Sequence, residues 1–425
     1  MFGKNRVLSV FVLYVLVSLS LIGSVFASSL MWSQTYGSNE EAEWAYSLVQ
    51  ASDGGYAIAG GAMALGVSYD FWLVKTDENG SMQWSQKYGG TSEDRAHSLI
   101  ETSDGGFALA GGTHSFGAGS YDFWLVKTDT NGNMLWNRTY GGPDRETAYS
   151  LVETSDGGYA IAGRTESFGA GSYDFWLVKT DANGNMEWSR TYGGALYDTA
   201  RSLVETSDEG YAIAGYTSSV GAGNYDCWLV KTDSSGNMEW NQAYGGTENE
   251  HAYSLVETSD GEYVMAGSIE SFGAGKSDFW LIKTDANGNE EWNQTYGRLE
   301  NEIARSLVET SDGGYAIAGQ TTTGDAAVNA GDNYDLWMIK TDGSGKLEWN
   351  QTFGGAGDQM AYSLVEAFDS GFALAGFRLY GADGNFLVIK TNEYGMIPEF
   401  PSWIILPLLV VGTFAALISR KKLKK

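Results

Sequence analysis

A tryptophan recurs along this chain at Trp32, Trp84, Trp136, Trp188, Trp240, Trp292 and Trp349, with five intervals of 52 residues and a last one of 57. Each closes a copy of one motif, clearest at residues 156–188: DGGYAIAG, a short variable stretch, then YDFWLVKTDANGNMEW. Self-similarity near 50 residues, with strand-like segments inside each copy, restricts the chain to a propeller or another stacked array. A ring of such units shares one continuous core, so 425 residues need not divide into separate domains.

One copy reads as four strands. Residues 148–154 form strand a. An Asp-Gly turn follows, then strand b at 159–166. A Gly-Ala-Gly loop leads to strand c at 173–180, and a second turn, Asp-Ala-Asn-Gly, to strand d at 186–192. On strand d, Met186, Trp188 and Tyr192 alternate with Glu187, Ser189 and Thr191, which predicts one packed and one wet face. Gly at 57 residues and Pro at 4 suit many short strands with tight turns. Strand d occurs seven times, first before any other strand, and the a-b-c set occurs seven times, last without a following d. The expected fold is therefore an all-β, seven-bladed propeller in which the N-terminal strand completes the last blade.

The ends carry different signals. Lys4 and Arg6 precede an apolar run over residues 7–26, and Val25-Phe26-Ala27 fits a cleavage site. Residues 1–27 read as a signal peptide, with an uncleaved anchor as the alternative. Residues 403–419 are apolar and precede five basic residues, which predicts a C-terminal membrane helix with that cluster in the cytoplasm. The Pro398-Glu399-Phe400-Pro401 stretch before it resembles archaeal sorting tails, which begin with Pro-Glu-Phe. That resemblance implies cleavage and re-attachment to lipid. The expected organisation is 1–27 signal, 28–397 propeller and 398–425 anchor or sorting tail, placing an exported propeller at the cell surface.

Between residues 7 and 419, 19 basic residues face 53 acidic ones, for a net charge of −34. Such a surface repels nucleic acid. Cys227 is the single cysteine, which excludes an intrachain disulfide; it stands where Phe123, Phe175 and Phe279 stand in other copies, and reads as a small buried hydrophobe.

Because strands alternate in direction, the a–b and c–d turns share one rim, and the d–a and b–c loops share the other. The first rim is nearly identical from copy to copy. The second varies, and its blade-six b–c loop carries a five-residue insertion within 321–332. Variation on one rim of a rigid ring is where specificity is built. One varying position follows the Ala-Gly of strand b: Gly61, Gly112, Arg164, Tyr216, Ser268, Gln320 and Phe377. Of these, Arg164, Tyr216, Gln320 and Phe377 are candidate ligand contacts. The d–a loops bring acids to the same rim, among them Glu40, Glu41, Glu93, Asp94, Asp144, Glu146, Asp198, Glu250 and Glu302. Glu93, Asp94, Asp144 and Asp198 are candidates for ligand binding. Asn79, Asn137, Asn293 and Asn350 sit in glycan-acceptor sequences, the last three on the wet face of strand d.

Enzyme signals are sparse. His97, His114 and His251 lack metal-ligand spacing and read as surface or packing residues. There is no nucleophile elbow, P-loop or dinucleotide fingerprint. The D-x-N-G-N turn partly matches a calcium loop but lacks its further ligands, so no cofactor or metal is expected beyond Ca²⁺ at that turn. The repeat resembles secreted bacterial and archaeal β-propeller repeat proteins that carry D-G-G-Y-x-x-A-G and D-x-W-x-x-K, over about residues 30–395. It also resembles quinoprotein dehydrogenase propellers, whose eight blades and vicinal cysteines it lacks. The expected role is a monomeric, membrane-anchored binding, adhesion or envelope-scaffold module for a glycan or envelope protein. The alternative is a carbohydrate-active enzyme using carboxylates of the d–a rim.

Overall fold

The computed structural model describes residues 31–37, 42–64, 68–322, 334–354, 357–380 and 383–397. Both terminal segments, Glu40, Glu41 and most of the blade-six b–c loop lie outside the described residues. Within them, 28 strands form seven four-stranded antiparallel sheets. Blade three illustrates the plan: strand a is Glu146–Glu153, b is Tyr159–Thr165, c is Asp174–Thr180 and d is Met186–Tyr192. Strand a starts two residues before its expected position, because Glu146 and Thr147 already pair with Thr165 and Arg164.

The last sheet joins Gln359–Glu366, Phe372–Tyr380 and Asp383–Lys390 to Trp32–Tyr36 from the other end of the chain. Trp32 lies opposite Lys390 and Tyr36 opposite Phe386. The ring is closed by the N-terminal strand, as the strand count requires. Met31 and Ile397 line the same hollow on the copy-identical rim, so both ends of the described chain leave from that rim.

Stacking explains why strands b and c do not alternate. Both faces of each middle strand are covered by neighbouring blades, so Asp174–Thr180 is buried throughout. One face of blade three, with Phe175 and Leu177, packs on Trp228, Val230 and Ile213 of blade four. Equivalent cores join all seven blades, including blade seven to blade one through Phe386, Val388, Trp72 and Val74. Cys227 fills its Phe slot as a fully buried thiol against Trp280.

Polar bonds repeat the closure. The Ser47 hydroxyl accepts the Leu99 amide of the next blade at 3.1 Å, and the series continues round to Ser363, which accepts Leu48 N–H at 3.0 Å. On the copy-identical rim, Glu153 accepts the amide and hydroxyl of Ser103 from the preceding blade. In six blades the Lys of strand c is buried against the Asp of the a–b turn, as in Lys127–Asp104 at 2.9 Å, whereas Lys283 of blade five is partly exposed and pairs with Glu262. Desolvation opposes the Asp104 charge, but bonds from Lys127, Thr102 and the Gly106 amide outweigh it and hold the carboxyl down at about 2. The letters D-G-G and V-K-T are thus occupied by architecture.

Strand d departs from the expected alternation. A bulge between Lys179 and Thr180 in the c–d pairing leaves Glu187 unpaired, so Met186 and Trp188 do not share a face. Met186 is exposed at 45 %, while Trp188 meets Tyr211 of the next blade edge-on at 5.8 Å.

Candidate functional site

Strand a of every blade carries a β-bulge, and the bulged residues are Tyr46, His97, Tyr149, Arg201, Tyr253, Arg305 and Tyr362. These seven side chains line one cavity of about 170 Å³ on the ring axis. The bulge depends on the Gly of the Ala-Gly pair. A Cβ at Gly163 would lie 2.0 Å from Thr147 O, so only glycine lets the bulged backbone press this close. Tyrosine rings alternate with an imidazole and two guanidinium groups around the circle: Tyr46–His97 at 5.0 Å, His97–Tyr149 at 5.2 Å, Arg201 over Tyr149 at 4.1 Å and Arg305 over Tyr253 at 4.5 Å. Seven is odd, so one junction pairs like with like, Tyr362 with Tyr46 at 5.1 Å.

One level toward the variable rim lies a second set. Here the strand-a residue two before the bulge faces the strand-b position after Ala-Gly: Trp44 with Gly61, Arg95 with Gly112, Thr147 with Arg164, Thr199 with Tyr216 and His251 with Ser268. In these five blades a large partner faces a small one, so each blade contributes one large group to the mouth. Blades six and seven contribute Ile303 with Gln320 and Met360 with Phe377. The mouth is lopsided. At this level blades two and three supply Arg95, Arg145 and Arg164, and blades six, seven and one supply Ile303, Met360, Phe377 and Trp44, the last two stacked at 5.3 Å and Arg95 lying over the Trp44 ring at 5.6 Å, while Arg201 and Arg305 belong to the deeper ring.

The arginines lie over tyrosine rings: Arg95 over Tyr69 at 4.3 Å, Arg145 over Tyr121 at 4.5 Å and Arg164 over Tyr173 at 4.4 Å. Arg95 also pairs with Glu93 at 2.6 Å. The buried Nε atoms of Arg145, Arg164, Arg201 and Arg305 have no hydrogen-bond partner among the described residues. Burial, then Arg201, Arg95, Arg164 and Arg145 in turn, push the His97 imidazole down to about 3. His97 is therefore neutral at ordinary pH, because burial and the four guanidinium charges all disfavour its protonated form. His251 is pushed down to about 4 by burial, Arg201 and Arg305.

Of the residues singled out from sequence, Arg164 and Tyr216 line this mouth, and Tyr216 accepts a hydrogen bond from Arg201 at 3.1 Å. Gln320 and Phe377 lie at the same level but are 3 % and 5 % exposed. Glu93 reaches the mouth, accepting the Tyr121 hydroxyl at 2.8 Å. Asp144 is exposed on the rim. Asp94 and Asp198 do not face a ligand space. Both are fully buried, and their carboxylates hold the loops: Asp198 accepts the Gly194 amide at 2.8 Å and the hydroxyls of Thr217 and Ser219. Glu146, Glu250 and Glu302 are buried likewise, because each starts strand a where the d–a loop folds over it and its amides need acceptors. Much of the acidic rim expected from sequence is thus internal.

These acids form a second pattern. In five joints the Asp that opens strand c nears the acid that opens the next strand a, across a loop glycine. A Cβ at Gly141 would lie 1.7 Å from Asp122 Oδ1 and 2.7 Å from Glu146 Oε2, so those oxygens are at most about 4.4 Å apart. Asp122 accepts the Ala118 and Gly119 amides through Oδ2, while Oδ1 has no partner among the described residues. Burial first raises its pKa, the loop amides lower it, and Glu146 raises it again, with a net upward shift.

Asn79, Asn137, Asn293 and Asn350 are all exposed. The Asn137, Asn293 and Asn350 side-chain oxygens accept the indole N–H of Trp124, Trp280 and Trp337. In the D-x-N-G-N turn, Asp129 Oδ1 accepts the Asn131 and Asn133 amides, so this carboxylate organises the turn itself. Among the described residues no group of three or more His, Cys, Asp or Glu side chains is arranged to hold a metal ion.

No family model matches the chain. The regulatory protein FlaEY of Caulobacter vibrioides is 25% identical over 300 residues, covering 61% of this chain and 30% of that protein. The chain thus spans under a third of that relative's length. Among solved structures, a puromycin hydrolase mutant aligns with a TM-score of 0.51 at 13% identity, over 80% of this chain and 50% of that one. Sqt1 from Chaetomium thermophilum aligns at 0.47 and 12% identity over 80% of both chains. A Trypanosoma rangeli sialidase aligns at 0.40 and 9% identity, over 75% of this chain and 56% of that one. At these identities the likeness is one of fold.

Proposed function

We propose that this protein is a membrane-anchored binding module of the cell surface, with its ligand site at the channel mouth on the variable rim. The observation that carries the reading is the set of arginine and aromatic side chains stacked together, with unpartnered Nε atoms on Arg145 and Arg164, at the level where the copies differ most. Elsewhere the repeat is occupied by blade-to-blade bonds. Both ends of the described chain leave from the opposite rim, which supports an orientation with the repetitive rim toward the membrane and the mouth outward. A hydrolase built on d–a carboxylates is less well supported, because Asp94, Glu146, Asp198, Glu250 and Glu302 are buried in joints.

Full-length protein should be probed on a glycan array and against solubilised envelope proteins. Trp44→Ala and Arg164→Gln are expected to abolish the signal, while Glu153→Ala on the other rim leaves it intact. Binding retained by both mouth variants, or turnover of a glycan, would overturn the reading. Orientation has its own assay. Cys227 is buried, so an introduced thiol reacts alone. Asp144→Cys should react with a bulky impermeant reagent on intact cells and Asn183→Cys should not; the reverse pattern refutes the orientation.

A further inference from the structure

We infer that the ring of side chains beneath the mouth is a site for one small oxyanion, held on the channel axis by Arg201 and Arg305. The site lies a level deeper than the mouth proposed above and does not depend on that reading. Its wall is built from the bulged residue of each strand a, namely four tyrosines, one histidine and two arginines around about 170 Å³. No carboxylate belongs to that wall, although the chain carries 53 acidic residues. Arg201 donates one hydrogen bond, to the Tyr216 hydroxyl. Neither arginine is paired with a carboxylate among the described residues.

Stacking turns the edges of both arginines to the axis. Arg201 lies over the rings of Tyr149 and Tyr253 at 4.1 and 5.8 Å, and Arg305 over those of Tyr253 and Tyr362 at 4.5 and 5.7 Å. Tyrosine on each side occupies the faces of a guanidinium and leaves its in-plane N–H donors for another group. Of the Arg305 nitrogens only Nε is buried, and none has a partner among the described residues, so the terminal nitrogens open into the channel. Both groups lie over Tyr253, and their carbons are therefore at most about 10.3 Å apart. One oxyanion, with a bridging water, spans that gap.

Charge, donors and size together select the ligand. Partly buried guanidinium groups without a counter-charge draw one, the more so in a molecule whose other surfaces repel anions. Their forked donors match the paired oxygens of an oxyanion, which a halide lacks. A volume of about 170 Å³ equals about five waters and falls below the roughly 300–1,000 Å³ of sites for drug-sized ligands. The occupant is therefore of phosphate, sulfate or acetate size.

The test is calorimetric titration of full-length protein with inorganic phosphate, sulfate and acetate at constant ionic strength, with chloride as the control. At least one oxyanion is expected to bind at one per chain, at least about tenfold more tightly than chloride. Preference among the three distinguishes a tetrahedral from a planar ligand, and either supports the inference. Arg305→Gln and Arg201→Gln should each weaken the oxyanion at least about tenfold. The oxyanion should raise the melting temperature of the parent protein and of neither variant. Arg305→Lys keeps the charge and loses the fork, so it should weaken the oxyanion several-fold and chloride little; it also serves where a glutamine variant fails to fold. Arg138→Gln, on the outer strand of blade two, should leave binding unchanged. No oxyanion bound above the chloride control, or equal binding by the parent and the Arg305 variants, would overturn the inference, and a purely structural stack of rings would give that result. Trp44→Ala tests the mouth and should leave the oxyanion in place. Loss of the oxyanion in Trp44→Ala but not in Arg305→Gln would place the anion at the mouth, overturning this inference while the reading above stands.

Discussion

Replacing Asp122 by Asn is expected to stabilise the ring at neutral pH. Asp122 and Glu146 are both buried, and their facing oxygens are no more than about 4.4 Å apart. Two like charges at that distance repel by about 4 kcal/mol at an effective dielectric constant near 20. Local relaxation and the loop amides that favour the Asp122 charge offset part of this, so the gain from Asn is smaller, about 1–3 kcal/mol. Asn keeps an oxygen for the Ala118 and Gly119 amides and places an N–H donor toward Glu146. The chain already makes this exchange at two other joints, where Asn385 faces Glu43 and Gln359 stands in the strand-a position. The pH dependence separates this account from simple packing. An acid whose folded-state pKa lies above its unfolded value binds its proton more tightly when folded. Its contribution to stability is present below the unfolded value, near 3.9, and is lost as pH rises through the folded pKa. Asp122 shifts in that direction. Asp122→Asn should therefore gain over the parent protein at pH 7 and lose that advantage near pH 4. Chemical denaturation at the two pH values measures it. A loss of more than about 1 kcal/mol at pH 7, or an equal difference at both, would refute the reasoning.

Three further outcomes are expected. Glu209 holds a left-handed backbone at φ 66°, where the other blades use glycine or, in blade seven, Ser370; Glu209→Gly should raise stability by about 1 kcal/mol in thermal denaturation. Gly163→Ala drives a methyl against the Thr147 carbonyl and should cost about 1–3 kcal/mol, with altered near-ultraviolet circular dichroism as Tyr149 shifts. Tyr36 donates to Gly80 O at 2.6 Å across the closure of the ring; Tyr36→Phe should cost about 1–3 kcal/mol and speed amide exchange in blades seven and one above the rest, and uniform exchange would contradict closure through this strand.

The repeat made blade number, strand order and closure legible, because a 52-residue period with an orphan strand at one end and a missing one at the other has few solutions. The site was less legible. Its deepest ring was visible as the varying letter in the otherwise constant A-x-S-L of strand a, which reads Tyr, His, Tyr, Arg, Tyr, Arg, Tyr. That letter sits inside a regular strand, where alternation assigns it to a packed face rather than to a channel. Only the bulge, admitted by the glycine opposite, turns it inward. His97 and His251 likewise read as isolated histidines until the ring brought guanidinium groups around them.

The acids show the opposite error. Asp94 and Asp198 belong to variable loops, and nothing local distinguishes a loop carboxylate in water from one folded under its own loop. The sequence alone determined the blades, the closure and the rim that varies, since these follow from periodicity, turn residues and strand count. The tertiary structure decided which varying residues meet. Residues about 50 positions apart become neighbours only when the ring closes, and burial then divides them into joints that hold the blades and a mouth that faces solvent.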